Sequence, residues 1–239
     1  MKVRTVGKSA VFCYDRGGDF LSYLMIITWY GQACFKIQSG ETIIAIDPFA
    51  KEIGLTPPRF RSDVALVTHG HPDHANVETL AGEPFLINGP GEYERAGVNV
   101  VGIETYHDAV RGAERGLNTI YMLVVEDIHI VHLGDFGEGV LRDETLEAIG
   151  EADILMIPVG GVYTIDAEQA ARVVKQVEPR IVIPMHYKLP GLTPPLESVE
   201  RFLKEMGASK AEPQEKLVIK KKDLKDDESK THVIVLASA

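Results

Sequence analysis

The sequence predicts a layered α/β fold over residues 25–239. A run of short apolar strands broken by turn signals fills the first half, and helix and strand patterns alternate in the second. A third observation places chemistry in that fold. The polar cluster Thr68-His69-Gly70-His71-Pro72-Asp73-His74 ends an apolar strand, where a rigid scaffold can present functional side chains.

Strands are expected at Met25–Trp29, Cys34–Ile37 and Thr42–Ile46, separated by Gly31 and by Ser39-Gly40, which makes the start antiparallel. Asp63–Thr68 is a further strand, followed by the polar cluster and a short helical pattern reaching Leu80. Val98–Thr105, Thr119–Val125 and Ile128–Leu133 read as strands, with Tyr106 to Asn118 a polar loop carrying Gly112 and Gly116. Helices are expected at Asp143–Ile149, Asp166–Val177 and Pro195–Met206, and strands at Asp153–Val159 and Arg180–Pro184. In the charged stretch from Ala208 to Lys230, Lys216–Lys221 is expected to pair with Thr231–Leu236 as an edge hairpin. Residues 1–24 have no periodic pattern and read as an N-terminal extension, with Met25 an alternative start.

Hydrophobic residues at 45% and charged residues at 25% match a soluble globular protein and exclude disordered, collagenous and repeat-array chains. A net charge of −10 opposes non-specific attraction to a phosphate backbone, so no nucleic-acid partner is expected. Cys13 and Cys34 make neither a disulfide framework nor a C-x-x-C clip. The apolar run Phe20–Ile27 contains Ser22 and falls short of a membrane span, and Asp15, Arg16 and Asp19 interrupt any signal-peptide core after Lys2, Arg4 and Lys8. These features predict a cytoplasmic protein, with homo-oligomer formation left open.

Four candidate metal ligands, His69, His71, Asp73 and His74, lie within six residues. In a near-extended segment, side chains two apart share a face, so His69 and His71 can hold one ion while Asp73 and His74 turn toward a neighbouring one. Neutral imidazole and carboxylate suit Zn²⁺, Mn²⁺ or Fe²⁺. Without a cation, three histidines and an aspartate at this density are a costly cluster of polar groups.

His-x-His-x-Asp-His after a strand resembles the signature of the metallo-β-lactamase superfamily. The other motifs follow in that family's order: Asp47 in Ile46-Asp47-Pro48, His107 in Tyr106-His107-Asp108, Asp135 in Leu133-Gly134-Asp135 and His186 in Pro184-Met185-His186. Thr28-Trp29-Tyr30-Gly31, Arg115-Gly116-x-Asn118-Thr119, Pro158-Val159-Gly160-Gly161 and Pro184-Met185-His186-Tyr187 look like its Zn-dependent hydrolase branch. That branch includes the ascorbate-6-phosphate lactonase and lies near the phosphodiesterase that cleaves N-acyl phosphatidylethanolamines.

The resemblance implies a four-layer αββα sandwich of two mixed sheets. It implies two divalent metal ions, Zn²⁺ or Mn²⁺, one on His69, His71 and His107 and the other on Asp73, His74 and His186, with Asp135 between them. It further implies a metal-dependent hydrolase that directs a hydroxide held by both ions at a small ester, lactone or phosphodiester, with Asp73 also orienting that hydroxide. Asp47 is expected to orient a ligand histidine. Glu138 stands where related sequences often carry a histidine.

His132, three residues before Asp135, competes with His107 for the same ligand position, but its place inside a strand favours a packed, hydrogen-bonded role. Arg115 and Asn118 are candidates to orient an anionic or carbonyl-containing substrate, with bracing of their loop the alternative. Gly160-Gly161 either brings backbone close to the site or makes a turn. Tyr163, Tyr187 and Lys188 are weaker candidates for the rim, and His129 and His232 show no partner pattern. The alternatives are a nuclease of the same superfamily, opposed by the charge and the lack of a basic arm, and a non-enzymatic metal-binding module. The flavodiiron proteins of that fold place a carboxylate where this chain has His71 and carry a flavin domain for which it has no room.

Overall fold

The computed structural model describes residues 24–224 and 230–239. Apart from Leu24, the expected extension lies outside the described residues. β1 (Met25–Gly31), β2 (Cys34–Ser39) and β3 (Thr42–Ile46) make an antiparallel meander, and β4 (Val64–Leu66) and β5 (Phe85–Ile87) each run parallel to the preceding strand. A second meander comprises β6 (Gly91–Arg95), β7 (Val98–Tyr106), β8 (Leu117–Val125) and β9 (Ile128–His132). The chain then alternates: α1 (Asp143–Ile149), β10 (Ile154–Pro158), α2 (Ala167–Val177), β11 (Ile181–Met185), α3 (Val199–Glu205), β12 (Leu217–Ile219) and β13 (His232–Val233).

The strands form two mixed sheets, ordered β12-β1-β2-β3-β4-β5 and β13-β11-β10-β9-β8-β7-β6. In β1, Met25, Ile27 and Trp29 are buried and alternate with partly exposed neighbours, as expected of a strand with one face on a core. The parallel strands β10 and β11 are buried throughout because both of their faces are covered. One hydrophobic core joins the sheets, with Ile27, Phe35 and Leu66 from the first and Tyr121, Ile130 and Met156 from the second.

Helix α2 begins at a capping box, in which Asp166 accepts from the Gln169 N–H at 2.8 Å and Gln169 accepts from the Asp166 N–H at 3.0 Å. It packs on β10 and lies against α1 and α3. These helices supply the outer layer over the second sheet, in keeping with the expected αββα sandwich. The outer face of the first sheet is covered more thinly, with Phe60, Val77 and Leu80 packing over Ala45 and Ala65. No helix among the described residues is long and apolar enough to cross a membrane.

Several expectations need correction. The helical pattern reaching Leu80 is a single 3-10 turn at Val77–Thr79, and the last helix starts at Val199 rather than Pro195. The expected hairpin between 216–221 and 231–236 does not form. Instead β12 pairs antiparallel with β1, and β13 pairs parallel with β11, in different sheets. Each sheet offers one open edge there, and each short strand covers a different one, which leaves fewer unpaired backbone groups. The sequence reading also missed β5 and β6.

Candidate metal centre

Because β1, β3 and β4 run in one direction and β7, β9 and β11 share a direction in the second sheet, their C-terminal ends can supply one site from several loops. Gln32 follows β1, Asp47 follows β3, the His69–His74 segment follows β4, His107 follows β7, Asp135 lies shortly after β9, and His186 follows β11. The His69–His74 segment is not near-extended as expected. It turns tightly, with the His74 and Ala75 N–H groups both donating to the His71 carbonyl at 2.9 and 3.0 Å. That turn sets the His69 and His71 rings edge to face, 4.6 Å apart.

The seven expected ligands come together. Potential ligand atoms of His69, His71 and His107 lie within 4.8 Å of one another, as do those of Asp73, His74 and His186, and those of His69, His74 and Asp135. Asp135 Oδ2 lies 3.3 Å from His74 Nε2, 3.2 Å from His107 Nε2 and 3.3 Å from His186 Nε2, so one oxygen spans the two main clusters. Burial by itself would raise the Asp135 pKa, but His186, His74 and His107 outweigh it and hold the carboxyl well below the usual range. Burial, reinforced by His74, pushes His69 down to about 2, leaving its imidazole neutral and able to donate a lone pair.

Asp47 is fully buried. It accepts from the Thr68 N–H at 2.8 Å, the Thr68 hydroxyl at 2.7 Å and His74 Nδ1 at 2.8 Å. Since the Thr68 hydroxyl has one proton and gives it to Asp47, it accepts from His69 Nδ1 at 3.0 Å. Both histidines thereby keep Nδ1 protonated and turn Nε2 toward the other ligands. His74 Nε2 and Asp135 Oδ1 are buried without a hydrogen-bond partner among the described residues. Orphaned polar atoms of this kind, among convergent imidazoles and carboxylates, fit divalent transition-metal ions once His74 gives up its Nε2 proton.

The neighbouring candidates divide. His132 is fully buried, with Nε2 on the Ala33 carbonyl at 2.9 Å and Nδ1 accepting the Gly134 N–H at 3.1 Å. Both its nitrogens are occupied, Nδ1 in bracing the turn that carries Asp135 and Nε2 in tying it to the turn between β1 and β2. Asn118, a candidate for substrate contact or for loop-bracing, is buried beneath Asp135. Its Oδ1 accepts the Asp135 N–H at 2.9 Å, and its Nδ2 donates to the Thr105 hydroxyl and the Leu133 carbonyl, each at 2.9 Å. Alternation along β8 turns Asn118 inward while Leu117 faces out.

Arg115 does reach the cleft, a space of about 510 Å³ lined also by Glu52, His71, Asp73, Tyr163 and Pro194. Its guanidinium stacks over Tyr163, 4.9 Å from the ring centre. The loop that carries it is gathered by Asp108, whose carboxylate accepts from the N–H groups of Val110, Gly112, Glu114 and Arg115. Glu138 accepts the Tyr106 N–H at 3.0 Å and pairs with Arg142. Gly160 is a point of close approach, since a Cβ there would lie 2.1 Å from the His186 carbonyl, whereas Gly161 makes the turn at φ 57°. Tyr187 and Lys188 line a different cavity, beside Trp29 and Leu236.

Gln32 was missed by the sequence reading. It is fully buried, and its Nε2 donates to Asp73 Oδ2 at 3.2 Å and lies 3.3 Å from His186 Nε2. The available signal was a polar residue in the tight turn directly after Trp29-Tyr30-Gly31.

Residues 26–186 match the model of the β-lactamase superfamily domain. A UPF0173 metal-dependent hydrolase of Thermoplasma acidophilum is 31% identical over 67% of this chain and 82% of its own length. One from Methanopyrus kandleri is 30% identical over 76% and 91%. Among solved structures, a protein of Thermotoga maritima described as a Zn-dependent hydrolase of the metallo-β-lactamase superfamily shares 33% identity, with a TM-score of 0.72 over 89% of this chain and 98% of that one. A metallo hydrolase of Ignicoccus hospitalis shares the fold at 19% identity, with a TM-score of 0.60 over 82% and 99%. Matching motifs, matching architecture and convergent ligands agree, and the chain belongs to the metallo-β-lactamase superfamily, among its UPF0173 metal-dependent hydrolases.

Proposed function

We propose that this protein hydrolyses a small ester, lactone or phosphodiester at a centre of two divalent metal ions, Zn²⁺ or Mn²⁺. The observation that carries the reading is the position of Asp135 Oδ2, within 3.3 Å of imidazole nitrogens from both main ligand clusters. His69, His71 and His107 would hold one ion, Asp73, His74 and His186 the other, and Asp135 would bridge. When bound, such a pair supplies Lewis acidity and a strong oxygen nucleophile at neutral pH.

The protein's own groups would do the rest. Asp73, a quarter exposed at its side chain and lining the cleft, would orient the attacking oxygen. Arg115, braced on Tyr163, has no carboxylate partner among the described residues and would bind an anionic part of the substrate. The likeness of several motifs to the branch containing the ascorbate-6-phosphate lactonase supports a phosphorylated lactone within that class. The charge of −10 and a cleft lined by one arginine support a small substrate in place of a nucleic acid, and the cysteine usage supports a cytoplasmic setting.

The test is metal analysis after reconstitution, then a screen against lactones, phosphodiesters and esters. Up to two equivalents per chain are expected, together with turnover of at least one class. Asp73→Asn should then lower kcat by orders of magnitude at saturating metal. Turnover within about tenfold of wild type, a barrier change of only about 1.4 kcal/mol, would refute the role given to Asp73.

A further inference from the structure

The main chain fixes Gln32 against the second sheet before its side chain makes any contact. Its carbonyl accepts from Trp29 Nε1 at 2.9 Å and from the His186 N–H at 3.0 Å, and its φ of 47° lies in the left-handed region. From this anchored turn the carboxamide reaches Asp73 Oδ2 and His186 Nε2. Those are two of the atoms proposed above as ligands of one ion. The other end of the carboxamide, Oε1, is buried with no hydrogen-bond partner among the described residues.

We propose that Gln32 belongs to the metal centre and presents its carboxamide oxygen to the divalent cation held by Asp73, His74 and His186. The inference rests on the two-ion reading given above. A carboxamide has a donor end and an acceptor end of nearly equal size, and a half-turn about its last bond exchanges them. Without a cation, the N–H end suits the Asp73 carboxylate and the His186 lone pair. Once a cation engages both of those atoms, the N–H directed at His186 has no acceptor, and the oxygen end is the one that fits.

The two clusters then differ in kind. His69, His71 and His107 offer three imidazoles. The other cluster offers a carboxylate, two imidazoles and a neutral amide oxygen, a harder set with a stronger preference for Mn²⁺ or Fe²⁺.

The test is titration of metal-stripped protein with Co²⁺ alone, followed by visible absorption, in wild type, Gln32→Leu and Gln32→Glu. Wild type should take up two equivalents. Gln32→Leu should weaken one of them by about tenfold or more and leave the other unchanged. Gln32→Glu, with oxygen at both ends, should retain both and bind the affected one at least as tightly. If Gln32→Leu fails to fold in chelator, the Gln32→Glu titration decides alone. Wild-type behaviour in Gln32→Leu overturns the proposal. Loss of an ion in Gln32→Glu also overturns it, because it would mark the side chain as an N–H donor to Asp73. Uptake of fewer than two equivalents by wild type overturns this inference and the two-ion reading together.

Discussion

Replacing Asp47 by Asn isolates the most consequential hydrogen bonds of the site. The change keeps the side chain's shape, and Asn tolerates the left-handed backbone of this position, where φ is 46°. With its oxygen kept on the Thr68 N–H, the new amide nitrogen takes the place of Oδ2. There it meets two donors, the Thr68 hydroxyl at 2.7 Å and His74 Nδ1 at 2.8 Å. Either both donors stay buried and unpaired, at about 1–3 kcal/mol each, or both reverse. In reversing, His74 accepts at Nδ1 and carries its proton on Nε2. Thr68 likewise passes its proton to His69 Nδ1, and that ring too is protonated at Nε2. In that reversed state, one oxygen exchanged for an amide fixes a proton on two candidate ligand nitrogens, one in each main cluster, that would otherwise be free to face a cation. On the two-ion reading proposed above, both ions should bind about 10–100-fold more weakly, or about 1.4–2.8 kcal/mol each. Competition against a chromophoric chelator measures this directly. Affinities within threefold of wild type for both ions would refute the reasoning.

Other consequences are independent of Asp47. Burial opposes protonation of His74, yet Asp135 and Asp47 outweigh it and hold its pKa well above 6.5 in the metal-free protein. Below that raised pKa a proton must leave before a cation binds, so affinity at the cluster containing His74 should rise about tenfold per pH unit and then level off. Calorimetry in buffers of different ionisation heat should count about one proton released near neutral pH, and none would contradict the assignment. Asn118→Leu removes three hydrogen bonds and strands the Leu133 carbonyl and Asp135 N–H. Urea unfolding in chelator should show a loss of about 2–4 kcal/mol, and a loss under 1 kcal/mol would deny Asn118 its bracing role. Arg115→Ala should raise KM for anionic substrates by about 10–100-fold, the scale of one charge-assisted hydrogen bond, while sparing neutral ones. An equal effect on neutral substrates would argue for loop-bracing instead.

The clustering of the seven candidate ligands was legible because most of them are local or ordered by motif. His69 to His74 lie on one turn, and His107, Asp135 and His186 each follow a readable strand. The support around them was not legible, because it is built from contacts over long sequence separations. Nothing in the sequence says that Thr68 carries Asp47's influence to His69, or that Gln32 touches His186, 154 positions away. For Asn118 the sequence left substrate contact and loop-bracing open, and it is the alternation along β8, which turns the side chain inward, that favours bracing. Among the strands, Gly91–Arg95 is mostly exposed and has no apolar alternation to detect. β12 and β13 are three and two residues long, too short for their pattern to name a partner.

The placement of strain bears on what the metal contributes to folding. Gln32, Asp47 and His186 are non-glycine residues with φ of 47°, 46° and 52°, a conformation costing about 1–2 kcal/mol each for an ordinary side chain. Each is held by main-chain bonds that require no metal. The Asp47 N–H donates to the Leu66 carbonyl at 2.9 Å, and the His186 N–H donates to the Gln32 carbonyl at 3.0 Å. The Tyr121 hydroxyl adds a tie between the sheets, reaching the Val67 carbonyl at 2.9 Å. The sheets and their shared core therefore set the ligand positions in advance, unlike a zinc finger, where the metal drives folding. It follows that chelation should leave the far-ultraviolet circular dichroism intact and lower the unfolding temperature only by the ligand-linkage amount. Loss of sheet signal on chelation would mean that the metal, not the core, assembles the site.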